Sequence, residues 1–175
     1  MTSSNTTTAS AADYAGTWNL DIARTSIAFH TKAMWMLSVK GTAKALSGTG
    51  TIGADGSVEG KLVIDATSIN TKNKKRDAHL QTADFFETAV YPTIDFEVTS
   101  GRMLESGQAE VSGSLTIHGQ SRPVVVVGTL QLDGTSATLT TELDDLDRKE
   151  WGLTWAKMGA GTHNRIVIQA RFTKG

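Results

Sequence analysis

Two Asp-Gly pairs, Asp55-Gly56 and Asp133-Gly134, each stand between runs in which apolar and polar residues alternate. Asp-Gly is a strong hairpin signal, because the favoured two-residue turn needs positive φ at both central positions. Alternation with a period of two gives a strand one apolar and one polar face. A chain patterned this way along most of its length has few choices. Short antiparallel strands joined by tight turns fold into a sandwich or a barrel. The 17 glycines, against 2 prolines, suit such turns.

In chain order, Thr17–Asp21 (TWNLD) reads as a short strand. Ser26–Thr31 alternates, with Ile27 and Phe29 on one face and His30 on the other. Lys32–Val39 (KAMWMLSV) reads as a helical turn or bend that tucks Trp35 inside. Lys40–Ile52 is a strand of Gly, Thr and Ala, suited to a sharp bend or to the close approach of another group. Val58–Ala66, Thr93–Met103 and Gln108–His118 follow as strands, the last ending at the turn His118-Gly119-Gln120-Ser121. The four valines Val124–Val127 predict burial on both faces. Ser136–Leu143 and Arg165–Phe172 complete about eight or nine strands. An antiparallel meander of this length leaves unpaired edges unless it closes. An eight-strand barrel encloses a space that fits one small ligand or its own side chains.

One stretch interrupts the pattern. Between Thr67 and Val98 the chain leaves a strand and turns polar and helix-compatible over about Lys72–Gln81. It then places Phe85 and Phe86 between Asp84 and Glu87. Tyr91-Pro92 stops any helix, since the residue before proline avoids the α region. A short helix followed by two phenylalanines, inside a β chain, reads as a plug over something hollow.

The totals exclude several classes. At 175 residues the chain suits one domain with a sizeable core, and a formal net charge of -1 advertises no nucleic-acid partner. Without cysteine there is no disulfide and no thiol nucleophile. Residues 1–13 (MTSSNTTTASAAD) lack the basic and apolar regions of a secretory signal. The expectation is a disordered tail over 1–13, a single domain over 14–175 and a cytoplasmic protein. No window approaches a transmembrane helix, and no aromatic girdles suggest an outer-membrane barrel.

Several phrases then align in order. They include Trp18-Asn19-Leu20-Asp21, Ser68-Ile69-Asn70-Thr71, Asp77-Ala78-His79-Leu80 with Asp84-Phe85-Phe86, and Tyr91-Pro92-Thr93-Ile94-Asp95-Phe96. Val111–Gly119 (VSGSLTIHG) and Asp147–Leu153 (DRKEWGL) continue the series. In that order and spacing the chain, from about Tyr14 onward, resembles the YceI-like family of lipocalin-like barrels. The resemblance implies an all-β, antiparallel up-and-down barrel of about eight strands with a short helical insertion near the mouth. It also implies a bore that holds a polyisoprenoid or a fatty-acid-like chain. The family often carries a His where this chain has Ala33 and an aromatic where it has Ala43.

The candidate apolar wall is Ile27, Phe29, Trp35, Ile64, Phe85, Phe86, Phe96, Leu115, Ile117, Trp151, Leu153, Ile166 and Ile168. Trp151, Leu153 and Trp155 share a face if their segment is extended. Lys72, Lys74, Lys75 and Arg76, beside Asp77 and His79, are candidates for a basic rim that meets a phosphate head group, or for a plain solvated helix face. Arg148 either serves the same head group or pairs with Asp145 and Asp147. The four histidines show no metal-ligand spacing, and no cofactor fingerprint is present. With the resemblance, the reading is a non-enzymatic barrel that sequesters or transports a long apolar ligand, without cofactor or metal: a polyisoprenoid, such as a prenyl-pyrophosphate or quinone-related lipid, or a fatty-acid-like chain. Two alternatives stand beside it. One is an enzyme acting on a lipid head group through Asp77, His79 and Arg148. The other is a structural barrel with a filled bore, in which the valine strand marks a homodimer face.

Overall fold

The computed structural model describes residues 11–33, 37–104, 107–157 and 160–175. Its strands are β1 (Gly16–Leu20), β2 (Ser26–Ala33), β3 (Leu37–Ile52), β4 (Val58–Asn70) and β5 (Thr93–Met103). They continue with β6 (Gln108–Ile117), β7 (Gln120–Asp133), β8 (Ser136–Asp147) and β9 (His163–Lys174). Two short helices accompany them, α1 (Ala11–Tyr14) and α2 (Lys74–Leu80).

From β2 to β9 each strand pairs antiparallel with the next, and β9 pairs back onto β2. The sheet is closed. Nine segments fill eight positions, because β1 and β2 share one. β3 pairs with β2 over Leu37–Ala43 and with β1 over Thr49–Ile52. β9 does the same over Asn164–Gln169 and Phe172–Lys174. The break between the two pieces is a single 3-10 turn, Ile22–Arg24, where the Asp21 side chain accepts from the Arg24 amide at 3.3 Å.

The ends of the barrel differ. At one end lie the tight β3–β4, β5–β6 and β7–β8 turns, and Trp18 closes the space between them. Trp18 is 3% exposed, and its Nε1 donates to the Tyr14 carbonyl at 2.7 Å. The Lys174 ammonium stands 5.7 Å from its ring centroid. The other end, the mouth, carries the long β4–β5 and β8–β9 connections. Of the expected tail, residues 1–10 lie outside the described residues; Ala11, Ala12 and Asp13 belong to α1. Among the described residues no helix is long and apolar enough to cross a membrane.

One expectation needs correction. Val124–Val127 is not buried on both faces. β7 alternates like its neighbours, so Val124 and Val126 face the bore, while Val125 and Val127 are 60% and 44% exposed. A run of like residues hides the period, which only the pairing with β6 and β8 reveals. Over Lys32–Val39, β2 runs to Ala33 and β3 begins at Leu37, so the expected helical turn or bend falls on 34–36, outside the described residues, as does Trp35.

Candidate functional site

The closed sheet surrounds a cavity of about 870 Å³, within the range of small-molecule sites. Its wall comes from inward-facing residues of nearly every strand. Ile27 and Phe29 stand on β2, Ile64 on β4, Phe96 on β5, Leu115 and Ile117 on β6, and Ile166 and Ile168 on β9. At about 30 Å³ per water-sized unit, the space takes on the order of two to three dozen carbon atoms.

Glycines keep this bore open. A Cβ on Gly41 would lie 2.1 Å from the Phe29 ring, so the ring occupies the place of the missing side chain on the neighbouring strand. Gly113 gives the same room to Phe96, at 2.5 Å. Both rings lie against the wall instead of crossing the bore. This is the close approach that the Gly-rich stretch predicts. The bend appears as well, in register shifts between Thr42 and Lys44 and between Ala45 and Ser47.

The β4–β5 insertion covers part of the mouth. Thr71, 5% exposed, ties it to the end of β4. The Asp77 carboxylate accepts from the Thr71 amide at 2.9 Å and from its hydroxyl at 2.5 Å. Arg76 Nε donates to Thr71 Oγ1 at 2.8 Å and Nη2 to the Thr71 carbonyl at 3.1 Å. Asn73 caps α2 by accepting from the Arg76 amide at 3.0 Å. After the helix, Phe85 is buried against Leu115, Ile117, Trp151 and Leu153. Glu87 and His118, both at positive φ, join the end of the insertion to the β6–β7 turn through a 3.0 Å contact.

The β8–β9 connection closes the other side. Asp147 caps a 3-10 turn, Arg148–Trp151, and Gly152 ends it at φ 81°. Trp151 Nε1 donates to the Leu115 carbonyl at 2.8 Å and pins the turn to β6. Arg148, 8% exposed, holds the rest of the loop. Its Nε donates to the Gly161 carbonyl at 3.0 Å, Nη1 to Leu153 at 2.5 Å and Nη2 to Trp155 at 2.7 Å. Burial pushes the guanidinium below its ordinary value, and Asp147 partly offsets that. The Arg148 Cζ also lies 5.1 Å from the Phe85 centroid, a cation–π distance. His79 bridges the two lids. Its ring meets Phe85 and Trp155 edge-on at 5.1 and 4.6 Å, while Nε2 lies 2.8 Å from the Asp84 carboxylate.

Most of the residues singled out in the sequence line the cavity, including Phe85, Phe86 and Leu153. Trp151 does not. It ends a 3-10 turn rather than sitting in an extended segment, and stands behind the wall as a structural anchor. Of the basic run, Lys75 and Arg76 border the cavity, and Lys72 and Lys74 do not. Arg148 pairs with neither Asp145 nor Asp147. Those acids contact His163, and Asp147 also contacts Lys149. Asp77, His79 and Arg148 form no hydrogen bond with one another: Asp77 binds Thr71, His79 binds Asp84 and Arg148 binds three carbonyls, although His79 and Arg148 both pack on Phe85 and contact Trp155. Sequence reasoning missed Lys157, which borders the cavity from the β8–β9 loop, and Trp155 as a wall residue. The Trp151, Leu153, Trp155 spacing hinted at Trp155; nothing marked Lys157.

A family model described as a YceI-like domain matches residues 18–173. The chain belongs to the YceI-like family. Protein YceI of Escherichia coli O157:H7 is 35% identical over 88 residues, which is 49% of this chain and 46% of that relative. A UPF0312 protein of Vibrio cholerae (strain M66-2) is 38% identical over 63 residues, 36% of this chain and 33% of the relative. These matches span less than half the length of the curated relatives. Burkholderia cenocepacia BcnA superposes on this YceI-like barrel with a TM-score of 0.79 at 20% identity, covering 87% of this chain and 98% of BcnA. A polyisoprenoid binding domain from Saccharophagus degradans, described as implicated in plant cell wall breakdown, gives 0.70 at 17% identity, covering 90% and 98%. At such identities the two structures establish the shared fold.

Proposed function

We propose that this YceI-like barrel binds one long apolar chain, a polyisoprenoid or a fatty-acid-like lipid, non-covalently in its bore, and carries or sequesters it. The observation that carries the reading is the 870 Å³ cavity with its aliphatic and aromatic wall. Apolar burial contributes roughly 0.8 kcal/mol per CH₂. A chain of about two dozen carbons then offers a gross gain near the ceiling of known affinities, most of it offset by ordering and desolvation. The polyisoprenoid-binding relative of the same fold favours the isoprenoid class.

The polar end of the lipid sits at the mouth, between α2 and the β8–β9 loop. Lys75 and Lys157 border the cavity there. Among the described residues, the ion pairs of this end join His79 to Asp84, His118 to Glu87, Lys149 to Asp147 and His163 to Asp145 and Asp147, and use neither lysine. An anionic head group suits that edge. Arg148 belongs to the scaffold in this reading, since three of its N–H donors go to backbone carbonyls. Of the residues in the enzyme alternative, Asp77 is held by Thr71, Arg148 is held by backbone carbonyls, and His79 pairs with Asp84 rather than with either, which favours a carrier.

Mass spectrometry of organic extracts from freshly purified protein tests the reading. A long-chain lipid at near-stoichiometric amount is expected. A clean extract, together with no uptake of farnesol, geranylgeraniol or palmitate by the purified barrel, would refute it.

A further inference from the structure

Below the bore, at the Trp18 end, lies a second and wholly apolar cavity of about 80 Å³. Gly50, Val58, Val111, Leu139 and Phe172 border both spaces, so they stand as a partition between them. Trp18, Ala109 and Ala137 border the lower one alone. Ala109 and Ala137 are 6% and 4% exposed, and their small side chains leave the room beneath. Leu139 is seated across a strand, with its Cδ1 2.6 Å from where a Cβ on Gly128 would lie. Phe172 reaches in from β9, beside Ala137 in the register. Protein interiors keep few voids larger than a water, and an apolar one of this size stays dry.

We propose that Leu139 and Phe172 are specificity-determining residues: they form a floor that sets the longest apolar chain the bore accepts. The proposal rests on the lipid-binding reading and adds which chain lengths are held. A chain that enters by the mouth runs down the barrel and meets the partition with its far end. Once the bore is full, further carbons must remain at the mouth, where they gain no burial. The lower cavity holds about three methylene groups, by the volume of a water-sized unit. Leu139→Ala removes three more carbons and joins the two spaces. Together these make room for about one isoprene unit.

The test is isothermal titration with all-trans prenols of increasing length, from farnesol upward. For the parent, affinity should climb with each unit to a limit and then level off. In Leu139→Ala the limit should move one unit longer, and the prenol just beyond the parent's limit should bind about tenfold more tightly or better. Leu139→Ala combined with Ala137→Leu refills the lower space and should restore the parent's limit. Phe172→Leu opens the same partition from β9 and decides the matter should Leu139→Ala fail to fold. An unmoved limit, with short prenols bound as by the parent, overturns the floor while leaving the lipid reading intact. A parent that binds no prenol of any length overturns the isoprenoid reading itself, and the floor with it.

Discussion

Replacing Arg148 separates a scaffold role from a head-group role. In Arg148→Met three carbonyls lose a charged donor, but not all lose equally. The bond to Leu153 is buried, whereas those to Gly161 and Trp155 are partly open to water. Leaving a buried acceptor unpaired costs about 1–3 kcal/mol, and bonds that water can replace contribute about 0.5–1.5 kcal/mol each. The sum is about 2–6 kcal/mol, large for a single substitution over most of that range. Removing the buried charge returns part of it. Arg148→Lys keeps the charge but replaces a planar fork with a point donor, so it should lose about half as much. Urea unfolding followed by tryptophan fluorescence gives the stability, with Trp151 and Trp155 reporting on this loop. Hydrogen exchange over residues 148–163 shows whether the loop opens first. A parent-like midpoint with full protection in Arg148→Met would refute the scaffold argument. Loss confined to phosphorylated prenols, with stability intact, would return Arg148 to the head group.

Other substitutions probe the bore and the rim. Phe86→Asp should weaken lipid uptake more than it lowers stability, because an unpaired carboxylate then faces the apolar chain; lipid retention equal to the parent's by the folded variant speaks against the site. Gly41→Val should drive the Phe29 ring into the bore, costing about 1–3 kcal/mol and cutting uptake of the longest prenols, read by thermal melts and titration. Lys75→Glu with Lys157→Glu should weaken a prenyl pyrophosphate more than the matching prenol, and the difference should shrink as salt rises. Equal losses for both ligands would remove the rim. Asp55 accepts from the Ser57 hydroxyl and amide, and these bonds hold its carboxyl below the ordinary carboxylate value. A depressed folded pKa gives stability that is present above the unfolded value and lost as pH falls through the folded one. Asp55→Asn should therefore flatten the acid limb of a stability–pH profile below about pH 4, where that carboxyl titrates.

Strand positions were legible wherever alternation met a turn signal. Thr93–Met103 lies between Pro92 and the β5–β6 turn, and both bounds fall where the sequence puts them. The helical insertion was legible too, though α2 is shorter than the polar run suggests, because Asn73 caps it and fixes where it starts. The valine run was not legible as a half-exposed strand, since identical residues carry no period. Arg148 and Trp151 were misread for another reason. Their partners are backbone carbonyls of Leu153, Trp155, Gly161 and Leu115, and any sequence supplies carbonyls. Lys157 has no local signature at all; its place follows from the loop that Arg148 holds.

Whether such a barrel is hollow or solid depends on small residues more than on large ones. The strands carry enough aromatic and aliphatic side chains to crowd an eight-strand interior, where space is scarce. Phe29 and Phe96 would cross the bore if Gly41 and Gly113 carried side chains. Instead each ring lies against a neighbouring strand, and the volume it vacates becomes cavity. Hydrophobic residues thus promise burial but do not decide what is buried. With glycine opposite them they bury themselves in the wall and leave the centre to a ligand. With larger residues opposite they would meet one another and fill it. The same device recurs lower down, where Leu139 leans across Gly128 and small alanines leave a void beneath it. Depth and width of the bore are therefore set by which strand positions lack a side chain.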